Sequence, residues 1–337
     1  MKAVIAKKPR NAVVRAMDPE GMEFLDAYPM DPPFGIWRKY GIRLVPLVAF
    51  QRIPHVKAIP GFWMLMRLYL LGKLKGIHTI VVDSSGNTAH AVARLAVALG
   101  FRVKVVLSTD TPESKKGIIA SLSTVELIEV PGGVAKRARK EARLPGHYHL
   151  NQYADPANLD AHFRFTGPEI VRALGIAPDV ICCAMGTGGT AGGVAKYFKK
   201  HYPKTKVIGA RPILGQDIPG ARDKRRMKES KIRWKLYLNE NHDVFVVSRK
   251  DAFIAMRMLW QRMGTQAGPT SGLAYRGLEK YLKRYLKKLS PARRKALKGK
   301  IFVVLCSDDG RFYPERIGGE LRPEQGRLPR KKTRKKK

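Results

Sequence analysis

The chain has 337 residues, 44% of them hydrophobic, and a formal net charge of +38 from 65 basic and 27 acidic residues. That is enough apolar sequence for two ordinary globular cores, which excludes a fibrous or wholly disordered chain. The most apolar stretch, Gly61 to Gly72, is 12 residues long and contains Arg67, so it is too short to cross a bilayer and reads as a buried helix.

The charge is concentrated. Residues 222–235 carry eight basic and two acidic side chains, 276–300 eleven and one, and 322–337 nine and one. Residues 316–337 lack apolar periodicity and are expected to form a disordered basic tail. Such a surface attracts polyanions without sequence specificity. Cys182, Cys183 and Cys306 lie inside apolar runs with no metal-ligand spacing, as core thiols of a reduced, cytoplasmic protein would. The opening MKAVIAKKPRN holds only a very short apolar core, so no signal peptide is expected.

In chain order, residues 1–45 are irregular and proline-rich. Ile42 to Phe50 reads as a strand interrupted by Pro46, hence an edge strand. A loop carrying Lys57 follows, then a helix pattern from Phe62 to Lys75. From there strands at Thr79–Asp83, Val103–Leu107 and Val125–Val130 alternate with helix patterns at Thr88–Leu99 and Glu113–Leu122. The second of these helices opens with Pro112 as first helical residue and Thr111 as cap. Alternation of this kind predicts a parallel sheet with right-handed crossovers. A second unit follows, with a helix from Glu169 to Leu174, strands at Lys206–Ala210, Asp243–Val247 and Ile301–Leu305, and helices at Lys250–Met263 and Leu273–Lys288. Leu278, Leu282 and Leu286 recur every four residues in the last helix, the apolar stripe of an amphipathic surface helix.

The second unit is built around PDVICCAMGTGGTAGGVAKYFKK, residues 178–200. An apolar strand, Val180 to Met185, runs into the turn Gly186-Thr187-Gly188-Gly189-Thr190 and then a helix from Ala191 to Lys200. Glycines let backbone N–H groups converge on an anion, and a helix N-terminus adds unpaired donors and a positive dipole end. A phosphate suits this turn. Gly186-x-Gly188-x-x-x-Gly192 is compatible with a dinucleotide, with Arg211 at the end of the next strand suiting a 2′-phosphate. That reading leaves Lys57 and the turn Asp83-Ser84-Ser85-Gly86-Asn87-Thr88 unused. Pyridoxal phosphate uses all three features: a lysine for a Schiff base, a phosphate cradle, and polar groups for the ring oxygen and a substrate carboxylate.

The sequence resembles the fold-type II pyridoxal-phosphate enzymes, and more closely the cysteine synthase and cystathionine β-synthase family, over roughly residues 45–313. The blocks are Pro54-His55-Val56-Lys57; Ser84-Ser85-Gly86-Asn87-Thr88-Ala89, similar to T-S-G-N-T-G, with Asn87 placed 30 residues after the lysine; Asn151-Gln152-Tyr153-Ala154-Asp155-Pro156-Ala157-Asn158 through His162 to Thr166-Gly167-Pro168-Glu169-Ile170; Gly186 to Thr190, identical to G-T-G-G-T; and Gly268-Pro269-Thr270-Ser271-Gly272. The third block separates this branch from the dehydratases. The resemblance implies an α/β protein of two domains, each with a mostly parallel sheet flanked by helices, like the tryptophan synthase β-subunit. Residues 1–45 and 151–315 would form the large phosphate-binding domain and 46–150 the small substrate-binding domain.

By the same resemblance, Lys57 would hold pyridoxal 5′-phosphate and act as catalytic base. Asn87 would bond the ring 3′-oxygen, and Gly186, Thr187, Gly188, Gly189 and Thr190 the phosphate. Ser84, Ser85, Thr88 and Gln152 would bind the substrate α-carboxylate. Thr270 would meet the pyridine nitrogen, a hydroxyl partner that leaves the ring largely neutral. The implied reaction is β-replacement on an O-acetylserine-like serine by sulfide or a thiol, through an external aldimine and an aminoacrylate, in a homodimer. A serine/threonine dehydratase, a threonine synthase-like lyase and a non-catalytic RNA-associated protein on this fold are the alternatives. The chain departs from the family pattern before Lys57, where Arg52-Ile53-Pro54-His55-Val56 replaces N-P-T-G-S. It departs again after Arg211-Pro212, where a basic run replaces Q-G-I-G.

Overall fold

The structure, a computed structural model, describes residues 25–28, 30, 34–49, 53, 55–84, 86–264 and 266–313. The expected basic tail therefore lies outside the described residues, apart from which the fold is α/β with two sheets flanked by helices. The larger sheet has six strands in the order β1 (Asp26–Ala27), β2 (Arg43–Val48), β10 (Ile301–Cys306), β7 (Val180–Ala184), β8 (Lys206–Pro212) and β9 (Val244–Val247). All pairs are parallel except β1 with β2. The smaller sheet is fully parallel, in the order β5 (Val125–Val130), β4 (Arg102–Ser108), β3 (Thr79–Asp83) and β6 (His147–His149).

Strands covered on both faces have no polar side to show, so the central ones read as unbroken apolar runs. Every residue of IFVVLC in β10 and of TIVVD in β3 is buried, whereas the edge strand β5 exposes Glu126 and Glu129. Alternation along β7 sends Cys182 to one face, with Leu278 and Leu282, and Cys183 to the other, with Val194 and Phe198. Helices Arg249–Met263 and Pro269–Leu286 cover the first face, and Gly167–Leu174 and Gly189–His201 the second. The leucine stripe of the basic helix is thus core, with Leu278 and Leu282 fully buried. In the smaller sheet, helices Ala58–Leu70 and Asn87–Ala98 pack over Ile80 and Val82, and Val134–Glu141 packs over Val81.

Several expectations need correction. The strand holding Pro46 is not an edge, because it lies between β10, which pairs along all six of its residues, and β1. Among the described residues its other side meets the two residues of β1 and the Tyr28 and Met30 N–H groups, which donate to the Pro46 and Leu44 carbonyls. A residue's N–H and C=O point the same way in a strand, so the missing donor of Pro46 faces that sparsely paired side. The β2 strand also spans the boundary expected at residues 45 and 46. The helix expected from Phe62 starts at Ala58, directly after Lys57, since Pro60 is tolerated in a first turn. Pro112 occupies the cap position of Glu113–Ala120 rather than its first helical residue, and the buried Thr111 hydroxyl makes no cap bond. Helix Val134–Glu141 escapes periodicity because VAKRARKE offers few apolar positions to count.

Candidate active site

Parallel strands bring their carboxyl ends to one side of a sheet, where ligands bind in α/β folds. Here the loops leaving β2, β3, β6, β7, β8 and β10 line a shared cavity of about 900 Å³. Lys57, Ser84, Asn87, Thr88, Gln152, Gly186, Thr187, Gly188, Thr190 and Thr270 all line it, so residues spread across the sequence converge. Ser85 lies outside the described residues. Gly189 does not line the cavity, and its N–H donates to the Thr187 hydroxyl at 3.1 Å.

Lys57 caps helix Ala58–Leu70, and its loop is pinned to the end of β10 by Val56 N–H donating to the Ser307 carbonyl at 2.7 Å. Among the described residues no carboxylate pairs with its amine. Burial, and then the Arg222 guanidinium, push that amine down to about 8, while Asp308 pulls it up. The departure from the family loop is packed rather than idle. His55 is 1% exposed and its Nε2 lies 3.0 Å from Nδ1 of His90, on the helix that Asn87 opens. The lysine and asparagine loops are thereby tied together. Burial holds both rings neutral, His90 at about 4.

The glycine turn is a cradle with no room for side chains. A Cβ on Gly186 would lie 2.8 Å from the Gly220 carbonyl, and one on Gly188 would lie 2.3 Å from the Trp234 ring. Gly188 also has φ +86°, the left-handed region in which glycine alone is unstrained. The turn ends at the N-terminus of the 13-residue helix Gly189–His201. Behind it, His162 Nε2 lies 3.1 Å from the Thr190 hydroxyl and its Nδ1 lies 2.8 Å from that of Thr166. Burial lowers His162 to about 3, so it is neutral and one nitrogen donates while the other accepts. Residues 162–166 form a π-helical turn, a feature that recurs at functional sites. The glycine-walled cradle at a helix N-terminus fits a phosphate.

Thr88 donates to Gln152 Oε1 at 2.7 Å, which uses the acceptor of Gln152 and leaves its NH2 for the cavity both residues line. Three more cavity residues escaped notice in the sequence. Arg222 stacks on Tyr153 with its guanidinium carbon 4.2 Å from the ring centroid, and pairs with Glu229 at 2.7 Å. Asp308 is 1% exposed and accepts from Thr270, Asn87 and Tyr313. Tyr313 also accepts from Asn87 Nδ2 at 2.8 Å. Nothing local marked Asp308 beyond an acidic pair after an apolar strand, and Arg222 was hidden in a basic run. That run folds over the cradle, burying Met227, Ile232 and Trp234. Arg211, the candidate for a dinucleotide 2′-phosphate, is instead 8% exposed, paired with Glu240 at 2.7 Å and outside the cavity lining.

The profile of the family described as "Pyridoxal-phosphate dependent enzyme" matches residues 51–306. The chain belongs to that family. The enzyme is 29% identical over 256 residues to cysteine synthase B of Pseudomonas aeruginosa, covering 67% of this chain and 82% of the relative. It is 26% identical over 281 residues to N-(2-amino-2-carboxyethyl)-L-glutamate synthase of Ralstonia nicotianae, covering 79% and 83%. Its fold matches O-ureido-L-serine synthase with a TM-score of 0.75 at 19% identity over 95% of this chain and 98% of that one. A hydrogen sulfide-producing enzyme from Fusobacterium nucleatum matches with a TM-score of 0.73 at 20% identity over 91% and 98%. Pyridoxal 5′-phosphate is the family's cofactor, and no described helix of the enzyme is long and apolar enough to cross a membrane.

Proposed function

We propose that the enzyme catalyses β-replacement on a β-activated serine such as O-acetylserine, with sulfide or a thiol as the incoming nucleophile. One observation carries this reading: Lys57, with its amine lowered to about 8, shares a cavity with a phosphate cradle and the Thr88–Gln152 pair. The relatives' names, cysteine synthase B and N-(2-amino-2-carboxyethyl)-L-glutamate synthase, support it.

In this reading Lys57 holds the cofactor, residues 186–190 take its phosphate, Asn87 its ring oxygen and Thr270 its ring nitrogen. Bound pyridoxal phosphate supplies an electron sink that makes a substrate α-proton removable. Ser84, Thr88 and Gln152 hold the α-carboxylate and so orient the Cα–H bond. Lys57 takes the α-proton on Nζ, its depressed basicity keeping a useful fraction neutral near pH 7. Closure of the domain built on the smaller sheet over the carboxylate would exclude water. A cytoplasmic homodimer, with polyanion contact through its basic surface, completes the reading.

The test is the visible spectrum of the purified protein with pyridoxal phosphate, before and after O-acetylserine, with Lys57→Ala alongside. The expected result is a cofactor band in the parent that shifts on addition and is absent from the variant. A band that never shifts removes the proposed substrate. No band in the reconstituted parent removes the site assignment and leaves the basic binding protein.

A further inference from the structure

Asp308 stands inside the cavity without a part in the function proposed above. Its carboxylate sits in a niche left by two glycines. A Cβ on Gly268 would lie 2.4 Å from Oδ1, and one on Gly220 would lie 3.3 Å from Oδ2. The backbone is fixed as well, with Gly268 N–H donating to the Asp308 carbonyl at 2.6 Å and a bridge to His55. Oδ1 accepts the Thr270 hydroxyl hydrogen at 2.5 Å, and Oδ2 accepts from Tyr313 and, at 3.4 Å, from Asn87. Thr270, Asn87, Tyr313 and Asp308 all line the cavity.

A threonine hydroxyl has one hydrogen. Facing a pyridine nitrogen, it can donate to the neutral base or accept from the protonated one. The Thr270 hydrogen is committed to the carboxylate, so only oxygen lone pairs remain for the cavity. A ring nitrogen meeting that oxygen can bond to it only as N–H⁺, and the buried negative charge behind it favours the same form. We propose that Asp308, acting through Thr270, makes this site select the protonated pyridine nitrogen of its cofactor. This rests on the placement of Thr270 at the ring nitrogen. It is the opposite of what a hydroxyl partner alone implies. The proton comes from solvent as the cofactor binds, and no electron transfer is involved. Burial raises Asp308 to about 6 against the bonds from Thr270 and Tyr313, which leaves it ionised at pH 8. The Lys115 ammonium, 4.8 Å from the Tyr313 ring centroid, also favours the ion. Asp308 is thus a positioning residue that sets the strength of the electron sink without touching substrate.

The experiment is ¹⁵N NMR at pH 8 of the full chain reconstituted with ring-¹⁵N pyridoxal phosphate. Parent, Asp308→Ala, Asp308→Asn and Thr270→Val are compared. Borohydride reduction and mass analysis first locate the label. The parent resonance is expected in the protonated range, and that of Asp308→Ala in the neutral range. Asp308→Asn keeps an acceptor without charge and is expected to move partway. A neutral resonance in the parent with Lys57 labelled overturns the role of Asp308 alone, and needs no variant to fold. A protonated resonance in Asp308→Ala does the same. A label absent from Lys57, or a Thr270→Val resonance unchanged from the parent, overturns the site placement and the inference with it.

Discussion

Raising the pH across 6 to 9 tests whether the cavity tunes Lys57 as its surroundings demand. An ordinary lysine near 10.5 is neutral in about one molecule in 3,000 at pH 7, and one held at about 8 is neutral in about one in eleven. The reactive fraction is therefore about 300-fold larger. Mixing cofactor-free protein with excess pyridoxal phosphate and following Schiff-base absorbance, with borohydride fixation to confirm the site, reads this directly. The initial rate is expected to rise about tenfold per pH unit below 8 and to flatten above it. Arg222 contributes to the depression and Asp308 opposes it, so Arg222→Gln is expected to move the midpoint up and Asp308→Ala to move it down. A parent midpoint at 10 or above would refute the reasoning, because burial beside an arginine would then have left Lys57 unperturbed.

Two further predictions concern stability. His90 and His162 are held at about 4 and about 3 in the fold, against 6.5 when unfolded. Neither contributes above pH 7. Below 6.5 the unfolded chain takes up protons that the native rings refuse, so stability falls with pH by up to about 2 kcal/mol per ring at pH 5. Asp308, raised to about 6, works in the opposite direction below that pH, so the comparison is made by urea melts of parent and His162→Gln at pH 7 and 5. The variant is expected to lose about 2 kcal/mol less between the two, and an identical loss would show that His162 is not held neutral. Gly188→Ala combines positive φ with a Cβ 2.3 Å from Trp234, and is expected to cost about 2–5 kcal/mol in urea melts and to weaken pyridoxal phosphate binding. A cost below about 0.5 kcal/mol would mean the turn opens freely.

Much of this enzyme is determined by its sequence alone, because the signals are local. Strand runs such as TIVVD and IFVVLC are continuous because both faces are buried, and their alternation with helices predicts parallel sheets. The cradle is legible because glycine is the residue that a left-handed turn at a helix N-terminus requires. The 30-residue interval between Lys57 and Asn87 marks two loops that prove to face one cavity. What local signals omit is partnership across the cavity, since a hydrogen bond depends on which strand ends lie side by side. Sheet order brings β10 beside β2, and so sets Asp308 against the lysine loop, Thr270 and Asn87, 221 positions away. The same convergence puts Arg222 close enough to depress Lys57 and gives Thr88 to Gln152. Pro46 could read as an edge marker because its missing donor is a local fact, while the short partner on that side is a tertiary one. Turn chemistry and the family resemblance thus named the cavity's walls. Only the fold decided which wall donates, which accepts, and where the buried charge of Asp308 rests.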